Sequence, residues 1–235
     1  MPLARINGKI LHFIHIPKTG GSGISSYLRA KGQVALYSRE RLQWARTTPQ
    51  HVHAETSEIL LPDGFADATF AVIRDPMQRL LSEYRYRVTR RHDSGAVPKA
   101  LDSGAALTVE LDWGAEFHGT FDAWVTHIFA EYQRDPHVCD NHVRPQADFI
   151  RQGAALFRFE QGMQPVFDWI DRVTGTTRAD FRIDRNESIK FEIEMSDETR
   201  AAIRRFYAAD FALCDRLATA PAPSAERQPE MVVAK

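Results

Sequence analysis

The chain is short of the residues that mark several common classes of protein. It has two cysteines, Cys139 and Cys214, far apart and without CxxC spacing. Free thiols in a reducing compartment therefore fit better than a disulfide framework. No apolar run reaches the roughly 20 residues of a membrane-spanning helix, and residues 1–9 lack the apolar stretch of a secretion signal. A cytoplasmic protein with no membrane partner is expected. Charge of either sign is not in excess: the net value of -1 over 235 residues argues against a general nucleic-acid binder, which needs a strongly basic face. No internal repeat is visible. What remains, 43% hydrophobic and 26% charged, suits a globular protein with a sizeable core. We read residues 1–218 as one domain and residues 219–235, rich in Pro, Ala and polar residues, as a disordered tail.

Lysine is scarce too, with six among 30 basic residues. One of the six sits in an informative place. The apolar run Ile10-Leu11-His12-Phe13-Ile14-His15-Ile16 breaks into Pro17-Lys18-Thr19-Gly20-Gly21-Ser22-Gly23, and helix-compatible sequence follows through Tyr27 and Leu28. A buried strand, a glycine-rich turn with one lysine, then a helix is an architecture that holds anions. Glycines let the backbone wrap the ligand, the first amides of the helix point at it, and the lysine adds full charge. The lysine precedes the glycines, so the Gly-Lys-Ser/Thr order of a magnesium–nucleotide loop is absent. On these residues alone, a ligand-free strand-to-helix turn is the other reading.

Further along, Gln33-Val34-Ala35-Leu36-Tyr37 reads as a short strand, and residues 39–61 as a helix, a loop and a second helix near Thr56. Thr69-Phe70-Ala71-Val72-Ile73 is a buried strand by length and apolarity. Asp75 as N-cap and Pro76 as first helical residue then start a helix with an apolar stripe of Met77, Leu80, Leu81, Tyr84 and Val88. Its arginines, Arg79, Arg85, Arg87, Arg90 and Arg91, are expected on the remaining surface. Residues 92–116 read as an irregular excursion over an acceptor site, and Phe121 to Tyr132 as an amphipathic helix. A third core strand is expected from Ala155 to Phe159, a helix around Val166, Phe167 and Ile170 closed by Gly175, and a last helix from Ser196 through Leu217. Strands alternating with helices imply a parallel sheet covered on both faces.

The second anion-binding candidate is Ile73-Arg74-Asp75-Pro76 with Ser82. It places an arginine at the carboxyl end of a strand, where open parallel sheets bind ligands, and a serine two turns down the next helix. A guanidinium gives phosphate paired, charge-assisted hydrogen bonds. Taken alone, Arg74 pairing with a nearby carboxylate explains the pattern equally well.

Together, and in this order, the two motifs resemble those of the carbohydrate sulfotransferases, specifically the heparan 2-O and chondroitin/HNK-1 type and its short bacterial members. Their donor is 3′-phosphoadenosine 5′-phosphosulfate (PAPS). The family loop reads Pro-Lys-Thr-Gly-Gly-Thr-Ser. Lys18, Thr19, Gly20, Gly21 and Ser22 match it, while Gly23 stands where the family has a hydroxyl residue, with Ser25 and Ser26 nearby to replace it. Arg74 and Ser82 match the family's 3′-phosphate site. The resemblance implies an α/β, three-layer P-loop-like fold with a central, mostly parallel sheet flanked by helices. It also implies PAPS as donor without a metal, a carbohydrate or other hydroxyl acceptor, and Lys18 stabilising the leaving phosphate oxygen.

The general base by this resemblance is His51, in Pro49-Gln50-His51-Val52-His53-Ala54, with His53 the alternative; a surface histidine pair is the plain reading. Asn141-His142-Val143-Arg144-Pro145-Gln146 is similar to a family segment near the acceptor cleft, which implies that His142, Arg144 and Gln146 contact acceptor or cofactor; His53, if not the base, is expected on the acceptor side. Arg158-Phe159-Glu160, Arg185-Asn186-Glu187-Ser188 and Phe206 to Phe211 resemble later family segments. His12 and His15 are expected to be core or crevice groups. His51 with His53, or Cys139 with His142, offers no complete metal-ligand set. Trp44, Tyr84, Tyr86 and Trp113 are candidates either for stacking on a sugar or for the core. Two other functions compete: a non-catalytic PAPS or 3′,5′-bisphosphate-binding module, and a nucleotide kinase, against which the lysine's position argues.

Overall fold

Asn7 and Gly8 turn the chain back on itself within its first ten residues. Both adopt left-handed dihedrals, φ 47° and 78°, as a two-residue hairpin requires. The turn joins β1 (Leu3–Ile6) to β2 (Lys9–Ile14), so the sheet starts one strand earlier than the apolar run alone suggests. The computed structural model describes residues 1–92, 106–111, 114–182, 189–220 and 223. After β2 come α1 (Gly21–Lys31), β3 (Gln33–Ala35), α2 (Ala54–Leu60), β4 (Ala68–Ile73) and α3 (Pro76–Thr89). There follow β5 (Leu107–Glu110), β6 (Glu116–Gly119), α4 (Phe121–Arg134), β7 (Ala155–Arg158), α5 (Gln164–Thr174), α6 (Asp197–Phe206) and α7 (Ala208–Thr219).

The main sheet runs β3-β1-β2-β4-β7. Strands β2, β4 and β7 are mutually parallel, with Phe13 beside Phe70 and Val72 beside Phe157, while β1 is antiparallel to both β2 and β3. Four strands therefore point one way, and the fold is mixed α/β with a central, mostly parallel sheet. Alternation along each strand feeds two cores. Leu11, Phe13, Phe70, Val72 and Phe157 pack on one face with Ile24, Tyr27 and Leu28 of α1 and Val166, Trp169 and Ile170 of α5. Ile14, Ala71 and Ile73 pack on the other with Phe149 and with Leu213 and Cys214 of α7. A third cluster joins α3, the β5–β6 ribbon, α4 and α6 through Leu80, Tyr84, Val109, Trp124, Ile128 and Ile203.

Local signals act as read. Asp75 accepts a hydrogen bond from the Gln78 amide at 2.8 Å, Ser196 accepts from Thr199, and Gly175 closes α5 in the left-handed region. Neither cysteine is in a disulfide, and both are buried. Among the described residues no helix is long and apolar enough to cross a membrane.

Four expectations need correction. Residues 39–48 form no helix; they are exposed or half-exposed apart from Thr48, and a short polar helix without a packed face is not stable by itself. The last helix is two, broken at Tyr207, whose buried hydroxyl donates to the Val143 carbonyl at 2.7 Å. The excursion after α3 contains the β5–β6 ribbon, with Leu107 and Val109 buried. Arg79 and Arg87 are buried, not surface residues. Trp113, the segment 185–188 and most of the tail from 219 lie outside the described residues.

Candidate active site

The glycine turn connects the end of β2 to α1. Gly20 is left-handed (φ 87°) and precedes α1, whose start has neither a side-chain cap nor an acidic residue in its first turn. A helix leaves its first amides without intrahelical partners, and no side chain caps this end of α1. Thr19 is fully buried and its hydroxyl donates to the Ile16 carbonyl at 2.9 Å, which ties the loop to the strand end. Lys18 is left-handed (φ 68°), a conformation that costs a non-glycine residue energy and here aims its side chain at α3. The ammonium lies 4.1 Å from the centre of the Tyr86 ring. Burial pulls its pKa below the ordinary lysine value, and the charge of Glu83 works against that pull. Ser25 Oγ is buried with no hydrogen-bond partner among the described residues.

Arg74, at the end of β4, reaches the same loop: Nη1 donates to the Lys18 carbonyl at 3.0 Å, and the guanidinium stands 4.5 Å over the Phe159 ring. The two sequence motifs thus meet in space. Gln146, expected beside an acceptor, is fully buried; its side-chain oxygen accepts from the Arg74 amide at 3.0 Å and its nitrogen donates to the Arg74 carbonyl at 2.8 Å. Asp210 in turn accepts from the amides of Gln146 and Ala147. Gln146 therefore stands behind the arginine as its support. Ser82 is half-buried on α3.

Three imidazoles adjoin the glycine turn. His15 lies 4.9 Å from His51 and His51 lies 4.8 Å from His142, ring centre to ring centre. Each of the latter two faces a carboxylate through Nδ1: His51 faces Asp140 at 2.7 Å, and His142 faces Glu83 at 2.7 Å. Burial lowers the His51 pKa to about 4, against the raising effect of its hydrogen bond to Asp140. Burial also holds His15 well below its ordinary value. Glu83 is fully enclosed; burial pushes its pKa up, but His142 and Arg87 outweigh that and hold it below the usual carboxylate range. His53 lies apart from this group, beside His137 (5.5 Å) and near exposed Glu55 (3.7 Å). Arg144 is buried and donates to Asn141 Oδ1 at 3.0 Å.

The residues that the sequence reading missed are those beneath the histidines. Arg79, Glu83 and Arg87 recur at i, i+4 and i+8 on α3, one stripe round from Leu80, Tyr84 and Val88. Arg79 donates to the carbonyls of His142 (3.0 Å) and Arg144 (2.6 Å). Arg87 bonds Glu83 and donates to the carbonyls of Glu110 (3.0 Å) and Cys139 (3.3 Å). This ladder pins the segment 139–144 against α3. The equal spacing of charged and apolar stripes was the available signal, overridden by the general rule that arginine faces water.

His51, Asp140 and His142 have donor atoms within 4.8 Å of one another, a set that could hold a metal ion. Their hydrogen bonds already occupy those atoms in part. Asp140 accepts from the Thr48 amide (2.6 Å) and the Thr48 hydroxyl (2.7 Å) as well as facing His51. Of the aromatic candidates, Tyr84 is core, Trp44 is fully displayed, and Tyr86 stands between Lys18 and His142.

A lysine and an arginine that meet at a glycine turn, beside buried imidazoles, are groups able to fix an oxyanion donor and take a proton from an acceptor. Comparison with known proteins agrees: a family model described as "Sulfotransferase family" matches residues 7–215. No curated protein and no solved structure matches the chain.

Proposed function

The chain belongs to the sulfotransferase family, and from that premise we propose that it moves a sulfuryl group from PAPS to a hydroxyl on a carbohydrate. The observation that supports this reading is the bond between the Arg74 guanidinium and the Lys18 carbonyl, which brings together two candidate anion-binding motifs 56 residues apart. On this reading the P-loop-like turn, Lys18 to Gly23, holds the 5′-phosphosulfate with its amides, and Arg74 and Ser82 take the 3′-phosphate. The S–O bond to the donor phosphate breaks as a new S–O bond to the acceptor oxygen forms. Lys18 stabilises the charge left on the phosphate oxygen. The acceptor proton passes to His51, neutral at physiological pH because burial depresses its pKa. Positioning and charge stabilisation supply most of the acceleration in such transfers. Of the two histidines read from the sequence as possible bases, His51 is favoured by its place beside His15 and His142 at the glycine turn. His53, His142 and Arg144 are assigned to the acceptor side.

Transfer of labelled sulfuryl from PAPS to a panel of glycans tests this reading, with calorimetry on 3′,5′-bisphosphate alongside. Lys18→Ala and His51→Ala are each expected to lower turnover by about 10²- to 10³-fold. Bisphosphate binding with no transfer to any acceptor points instead to a binding module, and absence of binding overturns the donor assignment.

A further inference from the structure

Asp140 belongs to neither sequence motif, yet both of its carboxylate oxygens are engaged beside His51. Oδ1 accepts from the Thr48 amide at 2.6 Å, and Oδ2 accepts from the Thr48 hydroxyl at 2.7 Å and faces His51 Nδ1 at 2.7 Å. Its backbone is held at a cost. Cys139, Asp140 and Asn141 are three successive non-glycine residues in the left-handed region, with φ of 58°, 54° and 63°. Such conformations persist only where surrounding structure imposes them, and they cluster at functional sites.

The surroundings do impose them. Arg87 donates to the Cys139 carbonyl, and Asn141 Nδ2 donates to the His51 carbonyl at 2.8 Å. The strained turn therefore grips His51 twice, by its ring through Asp140 and by its backbone through Asn141. The titratable groups facing that ring are Asp140, His142, His15 and the amino group of Met1. Asp140 is the one that attracts an imidazolium. His53 has no equivalent, since Glu55 is exposed and 3.7 Å away.

We propose that Asp140 is a positioning residue for His51: it accepts a hydrogen bond from Nδ1–H, leaves Nε2 free as the basic atom, and steadies the imidazolium formed when Nε2 takes the acceptor proton. The Nδ1 proton stays on the ring throughout. This role rests on the reading of His51 as the base. The logic is that of any carboxylate–imidazole pair, in which the carboxylate sets the tautomer and orientation and does not itself become protonated.

The test compares wild type, Asp140→Asn, His51→Ala and the double variant in the PAPS transfer assay, with bisphosphate calorimetry and ¹⁵N NMR of the imidazoles. Asp140→Asn is expected to lower kcat by about 10²- to 10⁴-fold with bisphosphate affinity unchanged. It should cost nothing further in the His51→Ala background, because the two residues act as a unit. The acid limb of its pH–rate profile should move to lower pH, since the attraction for the imidazolium is gone. A merely disruptive change lowers the plateau without moving that limb. The NMR spectrum should show His51 leaving the Nδ1–H tautomer. Should Asp140→Asn fail to fold, Thr48→Val loosens the carboxylate while leaving its contact with His51, and a kcat loss of about tenfold is then expected. Wild-type transfer with Asp140→Asn losing less than about threefold, or losing as much in the His51→Ala background as alone, overturns the role of Asp140 and leaves the sulfotransferase reading standing. No transfer by wild type to any acceptor overturns both.

Discussion

Gly21 opens α1 beside the imidazole of His15, and replacing it with alanine is the sharpest test of how the pocket is packed. A methyl group there would sit 2.7 Å from His15 Cε1 and closer still to Nε2 and Cδ2. Carbon atoms in contact prefer about 3.5–4.0 Å, so the ring or the helix start must give way by about 1.5–2 Å. The ring has little room to move: it stacks on Phe13 at 5.2 Å, meets His51 edge-on at 4.9 Å, and is buried. Overpacking of this kind costs about 1–3 kcal/mol, and with two walls fixed the upper part of that range applies, about 2–3 kcal/mol. For a chain of this length each kcal/mol moves Tm by about 2–4 °C, so a fall of roughly 4–12 °C is expected.

A double-mutant cycle in denaturant unfolding separates this clash from any general intolerance of the turn. With His15→Ala in place, the space that the alanine methyl needs is vacant, and the cost of Gly21→Ala should fall to near zero, a coupling of about 2 kcal/mol. Gly8→Ala is the control for backbone strain alone: Gly8 is left-handed (φ 78°) with open space around it, and its cost of about 1–2 kcal/mol should not depend on His15. Equal costs for Gly21→Ala with and without His15 would show that the imidazole is not what requires glycine there.

Acid should destabilise the fold in a defined window. Burial holds His12 at about 3, His51 at about 4 and His15 well below 6.5, so each stays neutral in the folded protein while the unfolded chain protonates near 6.5. The unfolded state binds more protons, so stability present above pH 6.5 is lost as pH falls toward 4, by about 1.4 kcal/mol per unit for each group. Unfolding near pH 5 should take up about three protons; a Tm flat from pH 7 to 5 refutes this. Asp140 adds loss only below 3.8: burial raises its pKa, but the hydrogen bond from His51 outweighs that and holds it at about 2. Arg79→Met leaves the carbonyls of His142 and Arg144 without their donor and should cost roughly 3 kcal/mol or more in denaturant unfolding. A cost below about 1 kcal/mol would mean that the segment holds itself in place.

The parts of this molecule that sequence reveals are those whose cause is local. The break from apolar run to glycine turn, Asp75-Pro76 at a helix start, and Gly175 at a helix end each act through neighbours a few residues away, and each appears where expected. Asn7-Gly8 is also local, and its hairpin was equally legible. What sequence hides is set by partners far along the chain. Asp140 meets His51 across 89 residues and His142 meets Glu83 across 59, and although Asp140-Asn141 is a pair that tolerates left-handed dihedrals, it does not signal which histidine it meets. The family resemblance places Gln146 at acceptor or cofactor, but nothing near it in sequence signals that its amide pairs with the peptide of Arg74, 72 residues away.

Helix α3 explains why these distant pairings can be rigid. Three of its faces do different work. Leu80, Tyr84 and Val88 bind it to α4 and the β5–β6 ribbon, while Arg79, Glu83 and Arg87 hold the segment that carries Asp140 and His142. Tyr86 meets Lys18 of the glycine turn, and the helix itself begins directly after Arg74. One element thus sets the arginine, the lysine's resting place and the histidine loop relative to each other. A stripe of buried charge is costly to desolvate, and replacing it with apolar residues can stabilise a protein. Its retention here follows from what the stripe bonds to: backbone carbonyls of a strained loop, which an apolar side chain cannot satisfy.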